Sequence, residues 1–193
     1  MKTISIDLYE FDELSSEAQQ KAINDFRNSI LSDGDIIPFF SEDAESLIIE
    51  NGFENPEVQY SLGYSQGDGF SFSATGYNKI LDLFKKHLGE GKEKTAKIIL
   101  EYCELSITGN KGRYCFANKW DIDLIVVSAQ NELLNVDELV KNVKEDLQSI
   151  YLAICKKLEQ YGYNQIEYEQ SDDCITERIR SNNWDFTENG KFH

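Results

Sequence analysis

The sequence predicts an α+β fold, a mostly antiparallel sheet with helices packed on it, in a single domain over residues 1–193. Two observations point there. Alternating runs at Val58–Tyr64 and Phe70–Thr75 flank the loop Ser65-Gln66-Gly67-Asp68-Gly69, which reads as a β-hairpin. Leu139, Val143, Leu147, Ile150, Ile154, Leu158 and Tyr161 are spaced by fours and threes, which reads as one long helix near 136–161. Neither a linker nor an internal repeat separates such segments, and a length of 193 residues suits one domain or two small ones.

The elements follow in order. Residues 3–10 alternate, with Ile4, Ile6 and Leu8 on one side and Ser5, Asp7 and Tyr9 on the other, and are expected to form a first strand. A helix follows, capped by Ser15 or Ser16, with Leu14, Ala18, Ala22, Ile23 and Phe26 inward and an end at Asp33-Gly34. A second helix is expected at 41–52, with Ser41 as cap, acids in its first turn and Gly52 near its end. In the hairpin, Val58, Tyr60, Leu62 and Tyr64 share one side, as do Phe70, Phe72 and Ala74. Gly67 and Gly69 are expected to take positive φ.

Residues 78–90 read as a helix, "GEGKEKTAKI" as a turn entering a short one, and 101–127 as further strands turning at Gly109–Gly112. The long helix would span about 38 Å. A single seam of this kind is expected to lie across a sheet rather than in a coiled coil. A strand at 164–169, a short helix near 172–181 and a closing hairpin around Glu188-Asn189-Gly190 complete the chain.

The formal net charge is −16. Residues 1–60 hold 14 acids against 3 bases, a balance of −11; residues 61–130 balance at +1 and residues 131–193 at −6. Such a field repels nucleic acid and anionic membranes and attracts basic protein surfaces. Direct nucleic-acid binding and membrane binding are therefore not expected. The basic clusters, Lys85–Lys97 and Arg113–Lys119, read as a solvated face. No apolar run is long enough for a transmembrane helix, and the N-terminus turns acidic too early for a signal peptide, so a cytoplasmic protein is expected.

Chemistry-bearing patterns are sparse. Cys103, Cys115, Cys155 and Cys174 form no Cys-x-x-Cys pair, and His87 and His193 are the sole histidines, so reduced, mostly buried thiols are expected and no zinc site. There is no P-loop and no nucleophile elbow. In "SQGDG" only Asp68 is an acid, too few for a calcium loop, and a turn stabilised by Asp68 is the plainer reading. An enzyme would place its pocket near Asp68, Tyr60 and Tyr64, yet the sequence offers no nucleophile–base pair. The chain is read as non-enzymatic, with no cofactor and no metal.

The segments "YEFDELSSEAQQKAI", "YSLGYSQGDGFSF", "GRYC" and "NNWDFTENGKF" together resemble a family of small acidic proteins encoded by phages and other mobile elements. Within it the chain looks like an anti-CRISPR protein. The resemblance implies a bacterial cytoplasmic inhibitor that binds the type II RNA-guided DNA nuclease with its guide RNA and blocks target-DNA binding or cleavage. Cys115 and Phe116 stand where the family has a second aromatic and a His after Arg-Tyr, so any role of that His is absent.

Such nucleases hold nucleic acid in basic channels and read a short duplex motif with arginines. Carboxylates standing in for phosphates would accept those arginines, making the acidic surface a DNA mimic. The expected contacts are Glu10, Asp12, Glu13, Glu17, Glu42, Asp43 and Glu45, with Tyr64, Gln66 and Asp68 of the hairpin loop as a shape element. The alternative is another mobile-element accessory protein, antirestriction or regulatory, that binds a basic host protein.

Overall fold

The computed structural model describes residues 5–33, 37–75, 103–109, 115, 120–126 and 136–193. In chain order these form β1 (Tyr9–Glu10), a 3-10 turn (Phe11–Glu13), α1 (Ser16–Asp33), α2 (Phe40–Glu50), β2 (Glu54–Ser61) and β3 (Gly69–Thr75). They continue with β4 (Cys103–Gly109), β5 (Trp120–Val126), α3 (Val136–Glu169), α4 (Asp172–Ser181) and β6 (Asp185–Phe186). The fold class is α+β, and both sheets are antiparallel. The helices expected at 78–90 and just beyond, the turn at 110–112, and the two basic clusters lie outside the described residues.

The chain divides into two compact units, one of Met1–Pro38 with Tyr163–His193, the other of Phe39–Gly162. No linker marks the second boundary, which falls inside the continuous helix α3.

In the first unit β1 pairs with β6, Tyr9 opposite Phe186 and Glu10 opposite Asp185. Ser15 caps α1 by accepting from the Ala18 N–H at 3.2 Å. The inward stripe Leu14, Ala18, Ala22 and Ile23 is buried with Phe11, Ile175, Ile179 and Phe186, and Phe26 and Trp184 pack against it. Ser171 caps α4, accepting from the Cys174 N–H at 3.2 Å, with Asp172 and Asp173 in the first turn and Arg178 and Arg180 in the last. That charge order complements the helix dipole.

Arg27 pairs with Asp172 and donates to the Gln170 carbonyl at 2.8 Å; Arg178 pairs with Glu169. The tail turns back as expected, with Thr187 N–H donating to Lys191 O at 2.9 Å and Phe186 bridging Phe192. Gly190 closes this turn at φ 75°, and a Cβ there would lie 2.1 Å from the Ala18 carbonyl oxygen. Only glycine combines that φ with so close an approach.

The second unit is a four-stranded sheet in the order β2-β3-β4-β5 with α2 and most of α3. The hairpin register sets Tyr60 opposite Phe70 and Val58 opposite Phe72, so the predicted apolar faces coincide. Asn55, at φ 48°, precedes Pro56 at the irregularity between Glu54 and Glu57. The α3 stripe Val143, Leu147, Ile150, Ile154 and Leu158 is buried. Tyr151 of α3 stacks obliquely on Phe72 of β3 at 4.6 Å. Its hydroxyl accepts from the Phe72 N–H and donates to the Phe72 carbonyl, both at 3.0 Å. The helix therefore lies on the sheet, as its single seam suggests. Cys155 and Cys174 are buried free thiols and Cys115 is a half-buried one.

Four expectations need correction. Among the described residues the first strand keeps only Tyr9–Glu10; Ile6 and Leu8 are 54% and 42% exposed, because β6 is just two residues long and offers no longer partner. Residues 164–169 continue α3 instead of forming a strand. Ile166 lies eight residues beyond Leu158, on the same helical stripe, and is buried. Ser41 does not cap α2, which begins at Phe40 behind Phe39; its hydroxyl instead shares a 3.2 Å hydrogen bond with that of Tyr60. In the hairpin loop the left-handed residue is Tyr64, φ 56°, rather than Gly67, while Gly69 has a positive, nearly extended φ of 159°.

Candidate functional site

The hairpin loop is built around one carboxylate. Asp68 Oδ1 accepts from Ser61 Oγ at 2.9 Å and Ser65 Oγ at 2.8 Å, while Oδ2 accepts from Ser65 N–H at 2.9 Å. The Asp68 N–H returns to Ser65 O at 3.1 Å and closes the turn. Asp68 is thus committed to its own loop, and what the loop exposes is Tyr64, 66% accessible, and Gln66. Burial pushes the Cys115 thiol pKa up, and the negative charge of Asp68 pushes it further the same way.

The expected acidic contacts fall into two groups. Glu10, Asp12, Glu13 and Glu17 belong to the first unit; Glu42, Asp43 and Glu45 belong to the second, with Tyr64, Gln66 and Asp68. Glu10, Asp12, Glu13, Glu17, Glu42 and Asp43 are exposed, and Glu45 is half-buried.

Several are already used within the chain. Asp12 receives Arg180 through Nε at 3.0 Å and Nη2 at 2.6 Å, and the same guanidinium lies 5.8 Å over the Phe11 ring. Glu13 accepts from the Glu10 N–H at 2.9 Å, one half of a reciprocal cap on the 3-10 turn. Asp43 accepts from the Tyr161 hydroxyl at 3.2 Å. Burial raises the Tyr161 hydroxyl pKa, and the Asp43 hydrogen bond and charge add to it. The Arg180 and Tyr161 partners were not legible in sequence, since each lies more than a hundred residues from its acid.

A feature absent from the sequence reading is an open cleft of about 390 Å³ in the first unit. Ala22, Phe26, Ile179, Trp184, Phe186 and Phe192 supply apolar walls, and Asp25 and Ser29 polar ones. Its one advance signal is the aromatic density of the terminal "NWDFTENGKF". Among the described residues no group of three His, Cys, Asp or Glu side chains is placed to hold a metal ion. No helix among them is long and apolar enough to cross a membrane. No protein-family model matches the chain, no curated protein matches its sequence, and no solved structure matches it.

Proposed function

We propose that this chain is a non-enzymatic, cytoplasmic inhibitor of a type II RNA-guided DNA nuclease, acting as an anti-CRISPR protein that presents carboxylates to the basic DNA-holding surface. The observation that carries the reading is the charge, −16 in 193 residues with −11 in the first 60. A cleft lined by arginines and lysines attracts such a field strongly at low ionic strength and weakly at high.

The pattern of internal bonding refines which acids serve. Asp12 and Asp68 already hold internal donors, so Glu17, Glu42 and Glu45 carry more of the expected contact, and Tyr64 and Gln66 stay exposed at the loop tip. The test is a gel-shift competition between the protein and labelled target DNA for the guide-RNA–nuclease complex. Loss of DNA binding at low salt, relieved at high salt, is the expected result. Undiminished binding and cleavage at both salts would overturn the nuclease reading and favour a different basic host protein, as for an antirestriction factor or regulator.

A further inference from the structure

We propose that the aromatic cleft of the first unit receives an arginine side chain presented by a partner protein. Three facts select that occupant. First, the walls are aromatic and mutually inclined. Phe26 and Trp184 lie 4.9 Å apart at 54°, Trp184 and Phe192 lie 5.3 Å apart at 73°, and all three rings line the cleft. Aromatic faces are electronegative and attract a cation placed over them.

Second, Asp25 is the sole charged residue in the described lining. Lys21, one turn earlier on α1, donates to the Asn189 carbonyl at 3.2 Å. The cleft thus offers negative charge and apolar wall together, in a chain of net charge −16. Both features disfavour an anion, and Asp25 adds an attraction for a cation that a neutral apolar ligand would not gain.

Third, the same unit already contains this recognition made internally. Arg180 forks onto Asp12 while its guanidinium lies over Phe11. A planar guanidinium stacks on rings, is weakly hydrated and gives a carboxylate two donors; an ammonium does the second only as a point charge. A volume of about 390 Å³ also admits the apolar stem of the side chain. The proposal goes beyond the inhibitor reading, since it holds whichever protein carries the arginine.

The test uses the full chain with Trp120→Phe, which leaves Trp184 as the only tryptophan. Emission is followed while Nα-acetyl-arginine methylamide, its citrulline counterpart or its lysine counterpart is added. The expected result is saturable binding of the arginine probe, on the order of millimolar for a single side chain. Citrulline should bind at least tenfold more weakly and lysine several-fold more weakly. Asp25→Asn should weaken the arginine probe about fivefold with an unchanged melting temperature, because Asp25 is exposed. Should Trp120→Phe fail to fold, the indole N–H resonance of Trp184 in the unaltered chain gives the same titration. Absence of saturable binding, equal affinity for citrulline, or indifference to Asp25→Asn would each overturn the proposal.

Discussion

Tyr151 shows how one side chain can join two layers of a fold. Its ring packs on Phe72, and its hydroxyl satisfies both backbone groups of that residue at 3.0 Å. Tyr151→Phe keeps the volume and takes a donor from the buried Phe72 C=O and an acceptor from its N–H, which the Cys155 sulfur also engages. An unsatisfied buried group costs about 1–3 kcal/mol, so the variant should lose about that much, read as a lower urea midpoint with an unchanged slope. One turn on, burial pushes the Cys155 thiol from an ordinary 9.0 up to about 12. The unfolded chain releases this proton above pH 9 and the folded chain keeps it. Stability from this group is therefore complete below pH 9 and is lost as pH rises toward 12. Burial raises the Tyr151 hydroxyl as well, which steepens the loss above pH 10. Unfolding free energies at several pH values from 8 to 11 should show Cys155→Ala with a shallower alkaline slope, by roughly 1.4 kcal/mol per pH unit at most. Equal slopes in the two proteins would clear the thiol of any part in it.

At the scale of elements, the tail hairpin depends on Gly190. Gly190→Ala would press a Cβ to 2.1 Å from the Ala18 carbonyl in a left-handed conformation, and neither backbone can retreat cheaply. A loss of about 2–4 kcal/mol is expected from strain and displacement together, with Trp184 emission shifting as its surroundings open. Gly162, inside α3, is a gentler case: its Cβ would meet Leu62 Cδ1 at 2.4 Å and Phe40 Cζ at 2.9 Å. Gly162→Ala should destabilise despite better helix propensity, and Leu62→Ala should relieve part of that cost in a double-mutant cycle. These elements also mark how far the sequence could be read. Helices with an apolar stripe of many turns, and the hairpin whose two runs alternate in step, were legible because periodicity records burial directly. The strand at 3–10 was not, because alternation says nothing of whether a partner strand exists, and β6 provides only two residues. The extension of α3 through Glu169 hid because residues 164–169 read as a strand, and within them only Ile166, on the α3 stripe, is buried. The acidic contacts were legible as exposed charge, but the donors that engage Asp12 and Asp43 arrive from distant sequence.

For the whole molecule the question is what a charge of −16 does. If it exists for solubility alone, reversing a few acids should change nothing that a partner senses. If it steers and holds a basic nuclease surface, the same reversals remove contacts worth more in a desolvated interface than in water. Glu17, Glu42 and Glu45 separate these cases, since among the described residues no hydrogen bond or ion pair engages them. Glu17 and Glu42 lie in the first turns of α1 and α2, so Lys there opposes the helix dipole and costs about 0.3–1 kcal/mol each. The triple variant E17K/E42K/E45K is therefore expected to remain folded, with a melting temperature lowered by several degrees at most. Its competition with target DNA for the nuclease should fall by tenfold or more at low salt. The unaltered protein should lose a similar factor on raising the salt, while the variant, whose charge is reduced by three Glu→Lys reversals, should respond less. Asp12→Asn serves as the contrast. It removes a charge engaged by Arg180 at a surface ion pair, where the loss of stability is about 0–1 kcal/mol, and it should leave competition nearly intact. A triple variant that competes as well as the unaltered protein would mean that charge alone does not make the contact.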